Sequence, residues 1–125
     1  ASNPLDFSRG MPPSLTVCNT DSMGETVQRT FPNARVVKAL NTMNAFLMTD
    51  PSKVPGNHSL FMAGNDQKAK NEVHDLLKSF GWKEEQFIDT GDITASRGME
   101  MLLPLWAMLM GKFQSPMFNW QVVRG

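Results

Sequence analysis

Apolar and polar positions change period several times along the chain, and each change marks an element. In "TDSMGETVQRTF" the residues Met23, Val27 and Phe31 recur every four positions, Ser22 and Glu25 have the spacing of a capping box, and Pro32 is a stop. This predicts a helix ending near 31 with those three side chains on its buried face. "RVVKAL" at 35–40 is a β-branched run closed by Asn41-Thr42, the pattern of a buried parallel strand that opens into a loop. The segment 43–57 starts apolar but carries Asp50-Pro51 and Pro55-Gly56, and reads as an irregular loop.

"HSLFMAG" at 58–64 predicts a second strand. Asp66 then caps a helix over 67–80, where Ala69, Val73, Leu76, Leu77 and Phe80 share one face and Gly81 is the stop. "FIDTG" at 87–91 predicts a third strand, and Asp92 or Thr94 caps a long helix over 95–111. Pro104 lies inside that helix, would clash with the carbonyl of Glu100, and predicts a kink. Residues 1–20 are loop-like, with "SLTVC" at 14–18 the only short strand, and "FNWQVVR" reads as an edge strand or a docked arm. The order helix, strand, strand, helix, strand, helix predicts an α/β class with a mostly parallel or mixed sheet and flanking helices.

A length of 125 residues and 41% hydrophobic content suit one domain with its own core. Twelve basic and twelve acidic residues cancel, five against four in 1–57 and seven against eight in 58–125, which argues against a nucleic-acid partner. The lone Cys18 points to a reducing compartment and to a buried, small, hydrophobic role, and no basic segment leads into an apolar run at the start, so the reading is cytoplasmic. The most apolar stretch, "MLLPLWAMLM" at 101–110, is about half the ~20 residues of a membrane span and predicts a buried helix, with no membrane partner.

None of the nine glycines belongs to G-x-G-x-x-G or to G-x-x-x-x-G-K-[ST]. One cysteine and two histidines make no zinc site; His58 and His74 read as solvated or capping residues, the second on the outer face of its helix. Asp89 and Asp92 flank Gly91 at a strand end, where a carboxylate pair could do acid–base work, but a turn residue and a helix cap are the favoured roles. Arg97 and Glu100, spaced i, i+3, predict a local ion pair. Met99, Met101, Met108 and Met110 are mixed with leucines and Trp106, which predicts a packed helix or subunit interface over a copper site.

Five stretches taken together carry a resemblance: "SNPLDF", "TDSMGETVQRTFPNARVVKALNTMN", "FMAGND", "IDTGDITASRGMEMLLPLW" and "FNWQVVR". In this order, over nearly the whole chain, they are similar to NADP oxidoreductases of the deazaflavin-dependent type. The resemblance implies a Rossmann-like dinucleotide-binding fold of which this chain is the C-terminal portion, the glycine-rich half being absent. It implies NADP(H) and a deazaflavin or flavin as cofactors, and hydride transfer between two stacked rings, which asks the protein for positioning more than for acid–base groups.

The strand-end loops Asn3-Pro4-Leu5 and Asn41-Thr42-Met43 would then lie beside the nicotinamide and the second ring, and the turn from Gly91 to Gly98 would be a third such loop. Asn41 has the donor and acceptor to hold a carboxamide or a ring carbonyl, and equally suits a plain turn. No catalytic side chain and no metal ligand are implied. Two other readings stand beside this one: a non-catalytic dimerisation or docking module, and a metalloreductase-type domain with another acceptor. In each case the apolar segment 99–110 predicts self-association, as a homodimer.

Overall fold

The computed structural model describes all 125 residues. Leu5–Asp6 (β1) and Ser14–Leu15 (β2) pair antiparallel, with Leu5 opposite Leu15. The strand expected over 14–18 is thus two residues long and has a partner inside the stretch read as loop. Helix α1, Met23–Thr30, begins where expected, with Ser22 Oγ accepting the Glu25 N–H at 3.1 Å and donating to the Glu25 carboxylate at 2.7 Å. Its buried face is not the expected one: Val27 and Phe31 are 37% and 60% exposed, and Gly24 and Glu25 point inward. The reason is a close approach, since a Cβ on Gly24 would stand 2.9 Å from Ser96 Cβ and closer still to its hydroxyl.

Strand β3 is Val37–Ala39, and the supposed loop that follows holds a five-residue helix, α2 (Ala45–Thr49), and a 3-10 turn at Pro51–Lys53. Asn44 caps α2 by accepting the Phe46 N–H at 2.9 Å. That connection returns to the end of the sheet it left, so β4, Leu60–Gly64, runs antiparallel to β3 with Ala39 opposite Met62. Helix α3, Gln67–Ser79, is capped by Asp66 and carries the chain back to β5, Phe87–Asp89, which is parallel to β4. The class is α/β as expected, but the three-stranded sheet β3-β4-β5 is mixed rather than mostly parallel, because α2 is too short to cross the sheet.

Period-2 alternation splits the sheet into two faces. Ala39, Leu60 and Met62 join Met43, Leu47, Leu77 and Trp82 in one buried cluster. On α3, Ala69 and Leu77 are buried as expected, whereas Leu76 is 55% exposed and Phe80 sits beyond the helix at 37%. The opposite face presents Lys38 and Phe61 to the last helices. These are two, not one: a 3-10 turn at Ile93–Ala95 capped by Asp92 leads into α4, Ser96–Met101, and after Leu102 the chain starts α5, Leu103–Phe113, with Pro104 in its first turn. The kink expected at Pro104 is present as a one-residue interruption, with Leu102 keeping helical dihedrals (φ −73°, ψ −20°) between the two helices. Cys18 is half-buried rather than buried.

The stretch at 118–124 is a docked arm and not an edge strand: the Ser59 N–H donates to the Trp120 carbonyl at 2.7 Å, and no ladder forms. No helix is long and apolar enough to cross a membrane.

Candidate functional site

A lysine in the middle of a buried strand needs a counter-charge, and Lys38 has one. Its ammonium lies 2.9 Å from Glu100 of α4, with the two side chains 3% and 1% exposed. The Glu100 carboxylate also receives the N–H groups of Met23 at 2.8 Å and Gly24 at 3.1 Å, two of the donors that the first turn of α1 leaves free. Lys38 donates in addition to the carbonyl of Ser2. One buried pair therefore joins β3, α1, α4 and the segment leading to Asn3.

A second polar layer lies next to it. Asn3 Nδ2 donates to the Asn41 carbonyl at 2.8 Å, while Asn41 Nδ2 donates to Asn3 Oδ1 at 2.9 Å and to the Met99 carbonyl at 3.1 Å. Both amide hydrogens of Asn41 are thus used, and its Oδ1 is buried without a partner. The other sequence-predicted residues fall less evenly. Pro4 is buried, and its carbonyl accepts the Thr16 N–H; Leu5 sits in β1. Thr42 is 1% exposed, with its carbonyl accepting Trp120 Nε1–H at 3.2 Å. Met43 turns the other way, into the core cluster with Leu47 and Trp82.

Gly98 lines an open cleft of about 330 Å³ with Phe61, Thr90, Ala95, Met99 and Leu102. A Cβ on Gly98 would meet nothing within 4 Å, so packing inside the chain does not require a glycine there. Thr90 Oγ1 donates to the Met62 carbonyl at 2.8 Å and approaches Met99 Sδ at 3.7 Å. Because β3 is antiparallel to β4, the Asn41 and Gly91 turns lie at opposite ends of the sheet; α4 carries Gly98 and Met99 back across its face to Asn41.

The end near Gly91 is occupied by structural bonds. Lys70 Nζ reaches Asp89 at 3.0 Å and the Gly91 carbonyl at 3.1 Å, the Gly91 N–H donates to Asp89, and Asp92 accepts the Thr94 N–H at 2.9 Å. Asp89 and Asp92 are thus a turn residue and a cap.

Arg97 does not pair with Glu100. Its guanidinium grips Glu25 in a fork, at 2.9 and 2.7 Å, and these bonds hold the Glu25 carboxyl below the ordinary carboxylate range against the opposing effect of burial, with Ser22 adding in the same direction. The same partnership raises Arg97 above its ordinary value. His58 is buried rather than solvated: Nε2 donates to the carbonyls of Pro51 and Val54, Nδ1 accepts from Asn119, and the ring stands edge-on to Trp82. His74 faces inward enough to lie 4.3 Å from the Phe87 ring, with Nε2 at 2.8 Å from Glu84.

Sequence reasoning misses Lys38, Phe61 and Thr90, and misassigns Glu100. A usable signal is present at two of them: a charge inside "VVKAL" and another inside "MEMLL" each break an apolar run, and a buried charge demands an opposite one.

No family model matches the chain. Among solved structures, one described as a "putative F420 dependent NADP-reductase" from Arthrobacter sp. FB24 has a TM-score of 0.92 and 58% identity over 98% of this chain. The chain spans 55% of the length of that protein. An identity this high, over nearly every residue, shows that the similarity carried by "VVKALNT" and "SRGMEMLLPLW" is a similarity of the whole chain and its fold to an NADP oxidoreductase of the deazaflavin-dependent type.

Proposed function

We propose that this chain forms the ring-binding side of an oxidoreductase that passes a hydride between NADP(H) and a deazaflavin. The observation that carries the reading is the cleft beside the Asn3–Asn41–Met99 clamp, apolar on four of its six lining residues and open over Gly98. A flat ring needs an apolar wall on one face and a polar group at its edge. Phe61, Met99 and Leu102 offer the wall and Thr90 a polar group in the same cleft, while the buried, unpartnered Asn41 Oδ1 belongs to the clamp that shares Met99 with it. The bound rings supply the hydride and its acceptor; this chain's residues hold, orient and shield them.

The residues fit the rings and not the phosphates. The N–H groups that open α1 already face the Glu100 carboxylate, and none of the glycine motifs that cradle a pyrophosphate is encoded in these residues. Within this reading Asn3, Pro4, Leu5, Asn41, Thr42 and Gly98 line or brace the ring site, whereas Met43 supports it from the core.

The test is Gly98→Val in the full-length protein. With open space at that Cβ the fold should persist, and a side chain in the cleft should lower NADPH-dependent reduction of F420 by about tenfold or more by displacing a ring. A wild-type protein without that activity defeats the proposal, as does a Gly98→Val variant that turns over normally. The second reading, an assembly module, is favoured by one observation: Leu105, Met108 and Phe113 on α5 are 52%, 47% and 57% exposed.

A further inference from the structure

Leu40 links β3 to the clamp with φ at +64°, in the left-handed region that a residue with a Cβ avoids. Such a turn persists only where its surroundings hold it, and backbone of this kind gathers at functional sites. On one side it is held by Asn41, whose amide is fixed to Asn3 and to the Met99 carbonyl. On the other side the holding group comes from far along the chain: Trp120 donates its indole N–H to the Thr42 carbonyl at 3.2 Å.

We propose that Trp120 is a positioning residue for the Asn41–Thr42 turn, an inference that rests on the ring-binding reading above. The arm that carries Trp120 is anchored independently of that turn. Its backbone accepts from Ser59 N–H at 2.7 Å, Val122 N–H donates to Ser59 Oγ at 3.1 Å, and Asn119 Nδ2 donates to His58 Nδ1 at 2.8 Å and to the Ser59 carbonyl at 3.4 Å. Ser59 immediately precedes β4, which runs beside β3, and His58 is itself fixed by the Pro51 and Val54 carbonyls. Phe118 stacks on Trp106 with ring centroids 5.4 Å apart.

A strap tied to rigid groups at several points thus presents a single donor to the turn. Without that donor the carbonyl of the buried Thr42 is left unpaired while the arm keeps its other bonds, so the loss of stability is confined to one hydrogen bond. The turn, however, is free to leave the left-handed conformation at Leu40, and that rotation carries Asn41 away from Asn3 and Met99. The expected loss is therefore in geometry at the site.

The test compares Trp120→Phe with Asn119→Ala in the full-length protein, reading F420 reduction by NADPH and amide hydrogen exchange across 40–43. Trp120→Phe should lower kcat about tenfold, leave the KM for NADPH within about twofold, and speed exchange at Asn41, Thr42 and Met43. Asn119→Ala loosens the arm without touching Thr42 and should leave kcat within about twofold of wild type. An unchanged kcat in Trp120→Phe, or an equal loss in both variants, overturns the inference. A wild-type protein with no hydride transfer overturns the functional reading instead. The exchange comparison then decides for Trp120 alone, and equal exchange at 41–43 overturns its role.

Discussion

Glu100 on α4 stands 2.9 Å from Lys38 on β3, and the same carboxylate closes the N-terminus of α1. Removing one charge from so buried a pair leaves the other unpaired, which costs more than the pair itself contributes. Glu100→Gln keeps the size and one acceptor but strands the Lys38 ammonium, and should destabilise by about 3–5 kcal/mol. The Arg29–Asp21 pair has similar geometry at 60% and 35% exposure, and Arg29→Ala should cost far less, because water already solvates both groups. Urea unfolding of the two variants decides; equal losses would mean that burial of Lys38 and Glu100 carries no special weight.

Two helical glycines should respond in opposite directions. Gly24→Ala places a methyl 2.9 Å from Ser96 Cβ, and the helices must part, at about 1–3 kcal/mol. Gly98→Ala meets nothing within 4 Å and should stabilise by about 0.4–1 kcal/mol, through the helix preference for alanine. Melting temperatures that move the same way in both variants would show that the α1–α4 approach is looser than this geometry.

These contrasts also mark where the sequence stops being legible. Ser22, Asp66, Asp92 and Pro104 act on backbone within a few residues of themselves, and local pattern locates the starts of α1, α3 and the Ile93–Ala95 turn and the interruption before α5. The direction of β3 is decided by α2, whose five residues are too few to show a period, and "VVKAL" reads the same in a parallel or an antiparallel strand. Periodicity also misplaces the face of α1. It counts Met23, Val27 and Phe31 as apolar, whereas the helix is seated by a glycine contact and by Glu25 and Glu100, partners separated by more than 70 residues from the groups they bind.

In the candidate site the sequence marks Asn3 and Asn41 as polar loop residues, but their pairing is made by the fold, between positions 38 apart. The bond from Asn41 to Met99 is not legible either, because it uses a backbone carbonyl that no side-chain pattern reports.

The Glu25 carboxyl, held below its ordinary range chiefly by Arg97, ties stability to acid. A carboxyl with a lowered pKa in the folded state contributes fully above its unfolded value, and that contribution is lost as pH falls through the folded value. Stability should therefore be flat from neutral pH down to the carboxylate range and decline below it. Arg97→Met should lower the neutral plateau and shrink the acid decline. A variant whose acid limb parallels that of the wild type would assign the decline to other carboxyls, of which Asp21, Asp50 and Asp92 are also held low by their own hydrogen bonds.

Asn41 belongs to both the fold and the proposed site, so its loss should show in both. It is 3% exposed, and its amide makes two bonds that Asn41→Ala deletes, leaving Asn3 Oδ1 and the Met99 carbonyl without those donors. A stability loss of about 1–3 kcal/mol is expected beside a lower turnover. Calorimetric melting and F420 reduction, measured on one preparation, separate the two; turnover that stays normal would reduce Asn41 to a structural clamp.

Self-association is best tested on α5, at a residue whose change leaves the fold alone. Trp106 is a poor choice, since its ring stacks on Phe118 and its Nε1 is buried. Leu105 is a better one: at 52% exposure it points away from the buried Leu103 and Ala107, on a stripe with Met108 and Phe113. From Met101 to Gly111 there is no charged residue, and Lys112 bounds the stripe beside Phe113, so the part a second copy would cover around a two-fold axis is the apolar surface at Leu105 and Met108. A wild-type dimer should become a folded monomer in Leu105→Glu, whose melting temperature no longer rises with protein concentration as that of the dimer does. Sedimentation at increasing concentration reads the state directly. A wild-type protein that stays monomeric at high micromolar concentration, or a dimer that Leu105→Glu leaves intact, removes α5 as the interface.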